Sequence, residues 1–159
     1  MEFGHYKEEE QNELTKKLHG LLKKDAHDEI IKLYQNIPEN EKTGEQTRCV
    51  TASLILLKRF GDARLLLDKW SGTDGNDEQW NIQYGWTYYL EGKYKEAIPY
   101  FNMVEDLHDT DTTISGYLLE CNKYIGNHEE VKRIKGRIKE LNSIKGGDQY
   151  KKENYYRNQ

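Results

Sequence analysis

Apolar residues are scarce in this chain. They make up 35% of its 159 residues, against 33% charged, and mean hydropathy is -1.03. That argues against a deep, round core. It does not describe a disordered chain either, because aromatics reach 11% and tyrosine alone numbers 12. A thin structure, one or two layers deep, fits this balance, and the length favours one domain. No apolar run approaches the ~20 residues that a membrane-spanning helix requires. The opening MEFGHYKEEE lacks the apolar stretch of a secretory leader. Cys49 and Cys121 are far apart and have no metal-ligand spacing. They read as reduced thiols of a cytoplasmic protein, unless the fold pairs them.

Signals of chemistry are equally sparse. His5, His19, His27, His108 and His128 show no metal-binding spacing with one another or with cysteine. There is no GxGxxG, no GxxxxGK[ST] and no GxSxG. Asp74-Gly75-Asn76-Asp77 lacks the alternating ligands and terminal Glu of a calcium loop, and reads as a turn. The expectation is a chain that is not an enzyme and holds no cofactor or metal.

What is present is a pattern. Residues 84–104 read YGWTYYLEGKYKEAIPYFNMV, with glycines and aromatics crowded into an otherwise helical stretch. Shifted by about 34 residues, EGKYKEAIPYF aligns with IGNHEEVKRIK, placing Gly126 under Gly92 and Val131 under Ala97. In the other direction it aligns with LKRFGDARLLL, placing Phe60, Ala63 and Leu67 under Tyr94, Ala97 and Phe101. One step further back, with a one-residue offset, Ile30 and Tyr34 take the same places. Gly85 costs about 1 kcal/mol in a helix interior relative to Ala, which is acceptable where a neighbouring helix comes close. Gly92 supplies a turn between two helices, and Tyr88, Tyr94 and Phe101 fill the gaps. Helices are expected over roughly 9–23, 27–36, 44–58, 61–70, 77–91, 94–107, 111–125 and 128–144.

Gly85, Tyr88, Gly92, Tyr94, Ala97 and Phe101 make the chain resemble the tetratricopeptide repeat family, most specifically over 80–104 and more loosely over 11–144. Departures include Tyr84 for leucine, Val104 for alanine, Asp109 for proline, and Thr51 and Leu119 in place of a glycine. The resemblance implies an all-α fold: an α–α solenoid or superhelix of about four degenerate helical hairpins. The expected units are 11–43, 44–76, 77–110 and 111–144, within a domain of 10–144. An N-terminal arm (1–9) and a mobile basic, aromatic tail (145–159) flank it.

The resemblance also implies a concave groove lined by the first helix of each unit. Its residues would be Asn12, Thr15, His19 and Leu22; Glu45, Arg48, Ala52 and Ile55; Gln79, Ile82, Trp86 and Tyr89; and Thr113, Gly116, Glu120 and Lys123. Leu22, Ile55, Trp86 and Tyr89 would form an apolar strip for a peptide or protein partner. Glu45, Arg48, Glu120 and Lys123 would set polarity and register. Chaperone-binding members of the family hold a carboxylate at places here occupied by Thr15, His19, Cys49, Gln79 and Gln83, none of them a cation. Small stand-alone proteins of this kind are often bacterial, some of them regulatory or toxin-immunity proteins.

The charge is uneven. Residues up to Val131 hold 15 basic and 25 acidic side chains, and those from Lys132 onward 9 and 3. Lys132, Arg133, Lys135, Arg137 and Lys139 surround an apolar stripe of Val131, Ile134, Ile138 and Leu141. Three readings of this end stand: a polar terminal cap, a single-stranded nucleic-acid contact using basic and tyrosine side chains, or an acidic protein partner or the acidic concave side of another copy.

Overall fold

The computed structural model describes residues 3–70, 78–105 and 112–145, with side chains for 12–70, 78–105 and 112–143. The described residues are helical, without a strand. Eight helices follow one another among them: α1 (Phe3–Lys23), α2 (His27–Gln35), α3 (Gly44–Leu56), α4 (Phe60–Trp70), α5 (Glu78–Leu90), α6 (Tyr94–Glu105), α7 (Thr113–Ile125) and α8 (His128–Lys145). A single 3-10 turn at Glu39–Glu41 was not foreseen. Helix α1 begins at Phe3, inside the segment expected to be an arm. The loop expected at 71–77 and the tail from 146 lie outside the described residues.

One local device recurs four times. Asp25, Lys58, Gly92 and Gly126 have φ of 55°, 60°, 82° and 76°. Each follows the first helix of a pair. The amide of that residue donates three residues back, to the carbonyls of Leu22, Ile55, Tyr89 and Lys123 respectively. The next amide donates five back: Ala26 to Leu21, Arg59 to Leu54, Lys93 to Tyr88 and Asn127 to Asn122. This left-handed closure satisfies carbonyls that a helix end leaves open. The second helix then starts alike in each pair, with Ile30, Ala63, Ala97 and Val131 donating to the carbonyls of Ala26, Arg59, Lys93 and Asn127.

The chain divides into two compact units, Met1–Gly75 and Asn76–Gln159. In the first, α1 packs on α2 and α3, and α3 on α2 and α4. Its core gathers Leu18, Leu22, Ile30, Tyr34, Ile37, Cys49, Val50 and Ala52. Thr43 and Gln46 cap α3 reciprocally: Gln46 N donates to Thr43 Oγ1 (3.2 Å) and Thr43 N to Gln46 Oε1 (3.1 Å). Tyr34 Oη meets Thr47 Oγ1 at 2.9 Å, and the Lys42 ammonium lies 4.4 Å from the Tyr34 ring centre. Hydrogen bonds from Lys42 and then Lys69 hold the Glu39 carboxyl down at about 2.

In the second unit α6 packs on α5 and α7, and α8 on α7. Phe101, fully buried, lies at its centre, stacked on Tyr117 with ring centres 5.4 Å apart. A Cβ on Gly85 would stand 2.8 Å from Phe101 Cε1. The partner that demands Gly85 is therefore this ring. Ala97, on the same helix as Phe101, is small and fully buried. Pro99 lies inside α6, beyond its first turn. The helix forgoes the bond its nitrogen would have made, on an exposed face.

Opposite substitutions at the turns should have opposite effects. Lys58→Gly should stabilise the protein by about 1 kcal/mol, and Gly92→Ala should destabilise it by a similar amount. Urea unfolding followed by circular dichroism measures both, and shifts of the same sign would contradict the turn assignment. Gly85→Ala should lose roughly 1–2 kcal/mol even though Ala is the better helix former. That loss should shrink in a Phe101→Leu background. An equal loss in both backgrounds would mean the Phe101 ring is not what Gly85 accommodates.

Candidate functional site

The first helices carry the side chains that the sequence nominates. On α1 and α3, His19 Nε2 lies 3.0 Å from Glu45 Oε1, and both side chains are about half exposed. Cys49 Sγ lies 3.5 Å from His19 Nδ1 and 3.9 Å from Nε2. A sulfur nearly equidistant from both ring nitrogens sits beside the ring, not along one nitrogen's lone pair. That is poor geometry for moving a thiol proton. Burial, reinforced by the Glu45 carboxylate, pushes the Cys49 thiol up to about 11, so the thiolate needed of a nucleophile is suppressed. Thr15 and Gln46 complete the α1–α3 contact, with Gln46 Nε2 at 3.5 Å from Thr15 Oγ1.

A second histidine makes a similar tie between elements. His27 Nδ1 is 3.1 Å from Ser53 Oγ, and His27 Nε2 is 3.7 Å from Asp25 Oδ1. Ser53 is fully buried in the last turn of α3. Its hydroxyl meets the imidazole and ties α2 to α3.

The expected apolar strip requires correction. Leu22, Ile55 and Trp86 are 6%, 1% and 3% exposed. Leu22 and Ile55 stand three residues before the left-handed turn, where the chain doubles back over them. Leu22 joins the core with Ile30 and Tyr34. Trp86 meets Tyr117 edge-on at 5.4 Å. Ala52 is buried too. Tyr89 is half-buried, with its ring against Tyr94, Phe101 and Tyr117, and its hydroxyl donates to Glu120 Oε2. These side chains hold helices together within their units. The nominated residues left at the surface are His19, Glu45, Gln79 and Lys123, with Arg48, Ile82 and Glu120 half-buried. Among the same faces Asn12 is exposed, and Thr113 and Gly116 are half-buried.

The structure also assigns work to residues that sequence reasoning left unassigned. Glu105, only 6% exposed, receives both Arg133 Nη atoms (3.2 and 3.0 Å). Arg137 Nη2 donates to its main-chain carbonyl at 3.1 Å, and Arg137 Nε lies 3.6 Å from its carboxylate. Arg133 also bridges to Glu130. Hydrogen bonds that Arg133 donates to Glu130 and Glu105 drive its guanidinium well above its ordinary value. Two of the five cations around the α8 stripe therefore serve the interior. No local pattern announces this, because Glu105 lies 28 and 32 residues from its partners.

Among the described residues no group of three His, Cys, Asp or Glu side chains is arranged to hold a metal ion. Nor is any described helix long and apolar enough to cross a membrane. Comparison with protein-family models, curated proteins and solved structures found no match.

Both cysteines are free thiols, one in each unit. Burial raises Cys121 to about 12, with a contribution from Glu120. An unfolded thiol ionises near 9, so above that pH the unfolded chain sheds protons that the folded chain keeps. The contribution of each thiol to stability is complete below pH 9 and is lost as pH rises through about 11 for Cys49 and about 12 for Cys121. Urea midpoints measured across the alkaline range should fall less steeply in Cys49→Ala and Cys121→Ala than in wild type. Parallel slopes would show that the thiols titrate as they do in the unfolded chain.

Proposed function

We propose that the chain is a tetratricopeptide-like α–α repeat protein that acts without catalysis as a protein-interaction module. The observation that supports this reading is the fourfold turn: left-handed residues at Asp25, Lys58, Gly92 and Gly126, each with the same pair of backbone hydrogen bonds. Repeats of this kind act through the face of their first helices. Here the first helices of each unit carry polar and half-buried side chains: His19, Glu45 and Arg48 in the first, and Gln79, Ile82, Glu120 and Lys123 in the second. Mixed charge of this sort selects a partner by complementarity more than by apolar area. A regulatory or toxin-neutralising role is the specific version we favour for a small stand-alone protein of this type.

The test begins with affinity purification from the native cell and mass spectrometry, followed by titration of the purified partner. Glu45→Arg and Lys123→Glu lie at the surface and should leave helicity unchanged. Each should weaken binding by about tenfold, the loss expected when a residue that matters is removed from an interface. A partner that binds both variants as it binds wild type would remove the first-helix faces from the reading.

A further inference from the structure

We propose that the outer face of α8 is a docking surface for an acidic segment of another protein, separate from the first-helix faces. Lys132, Lys135 and Lys139 recur at intervals of three and four, so they share one face of the helix. That face lies opposite Ile134, which is fully buried. All three lysines are exposed, and among the described residues none is paired with a carboxylate. Glu129 and Glu140 flank the row without bridging to it. The two cation types of this helix are thus sorted. Its arginines turn to Glu105 and Glu130, and Lys132, Lys135 and Lys139 face outward without a carboxylate partner among the described residues.

A second observation falls on the same face. Gly136 sits mid-helix between Lys132 and Lys139 and is exposed, and a Cβ there would meet nothing within 4 Å. Gly85 has the Phe101 ring to explain it, whereas Gly136, like the helical glycines Gly20, Gly61 and Gly116, meets no neighbour within 4 Å. A glycine is unfavourable in a helix interior, and here it leaves bare backbone between cations, where a partner can lie close. The occupant is an anion by charge complementarity. Carboxylates suit it better than a nucleic-acid strand, because the row offers no aromatic ring for base stacking and no arginine fork for phosphate. The net charge of -4 also opposes a long polyanion more than a short acidic segment.

The experiment uses the full chain and a fluorescein-labelled glutamate-rich peptide at low salt, read by anisotropy. The peptide should bind, and binding should weaken as salt is added. Reversing three exposed charges (K132E/K135E/K139E) should reduce affinity by about tenfold or more. Gly136→Gln fills the bare backbone with a better helix former and should raise the melting temperature while lowering affinity, so the loss cannot come from misfolding. Absence of binding at low salt, affinity indifferent to the charge reversal, or undiminished affinity in Gly136→Gln would each overturn the proposal. Tighter binding of a single-stranded oligonucleotide of equal charge would overturn it in favour of nucleic acid. The first-helix variants Glu45→Arg and Lys123→Glu should bind the peptide normally, which separates this surface from the one proposed above.

Discussion

How each first helix stops governs everything else in both units. A helix end leaves carbonyls without partners, and the left-handed residue resolves this by turning the next two amides back onto the final turn. The same rotation sends the chain back antiparallel, so the second helix arrives against the first. Where glycine occupies the position the conformation comes easily. Asp25 and Lys58 hold it with a Cβ in place, and it persists there because the hydrogen bonds and the packing on either side specify it. The buried residues follow from this reversal. Leu22 and Ile55 lie under the turn, and Ile30, Ala63 and Ala97 lie just beyond it, where the returning helix meets the first.

The helix pattern was largely legible from spacing. Gly92 and Gly126 announced their turns because glycine is the residue such a backbone favours. Asp25 and Lys58 did not, since nothing in a lysine side chain asks for positive φ, and only the repeat interval points to them. The reciprocal cap of Thr43 and Gln46 is written in the local TGEQ. The surface was harder to read. Leucine, isoleucine and tryptophan look the same in sequence whether they line an open face or fill a core, and here Leu22, Ile55 and Trp86 fill cores. Contacts such as Tyr89 to Glu120 and Arg133 to Glu105 join residues 31 and 28 positions apart. No local pattern encodes such pairs.

Glu105 shows how the second unit handles a buried charge. A carboxylate removed from water is expensive unless it is paired and hydrogen-bonded. Arg133 supplies a two-pronged contact, and Arg137 adds its main-chain bond. Such a cluster contributes position more than net stability, since the lost hydration offsets much of the attraction. It secures the last helix to the end of α6 at a defined place, which in turn decides which side of α8 faces outward. The second unit is otherwise held by aromatic rings, with Tyr117 in contact with Trp86, Tyr89 and Phe101.

Because each reversal is closed by bonds spanning no more than five residues, little loop entropy has to be overcome before a hairpin forms. The helices then pack chiefly on their neighbours in sequence. A chain wired in this way has low contact order, which goes with rapid folding. Within each unit, either hairpin can form first and offer its neighbour in sequence a surface to pack on.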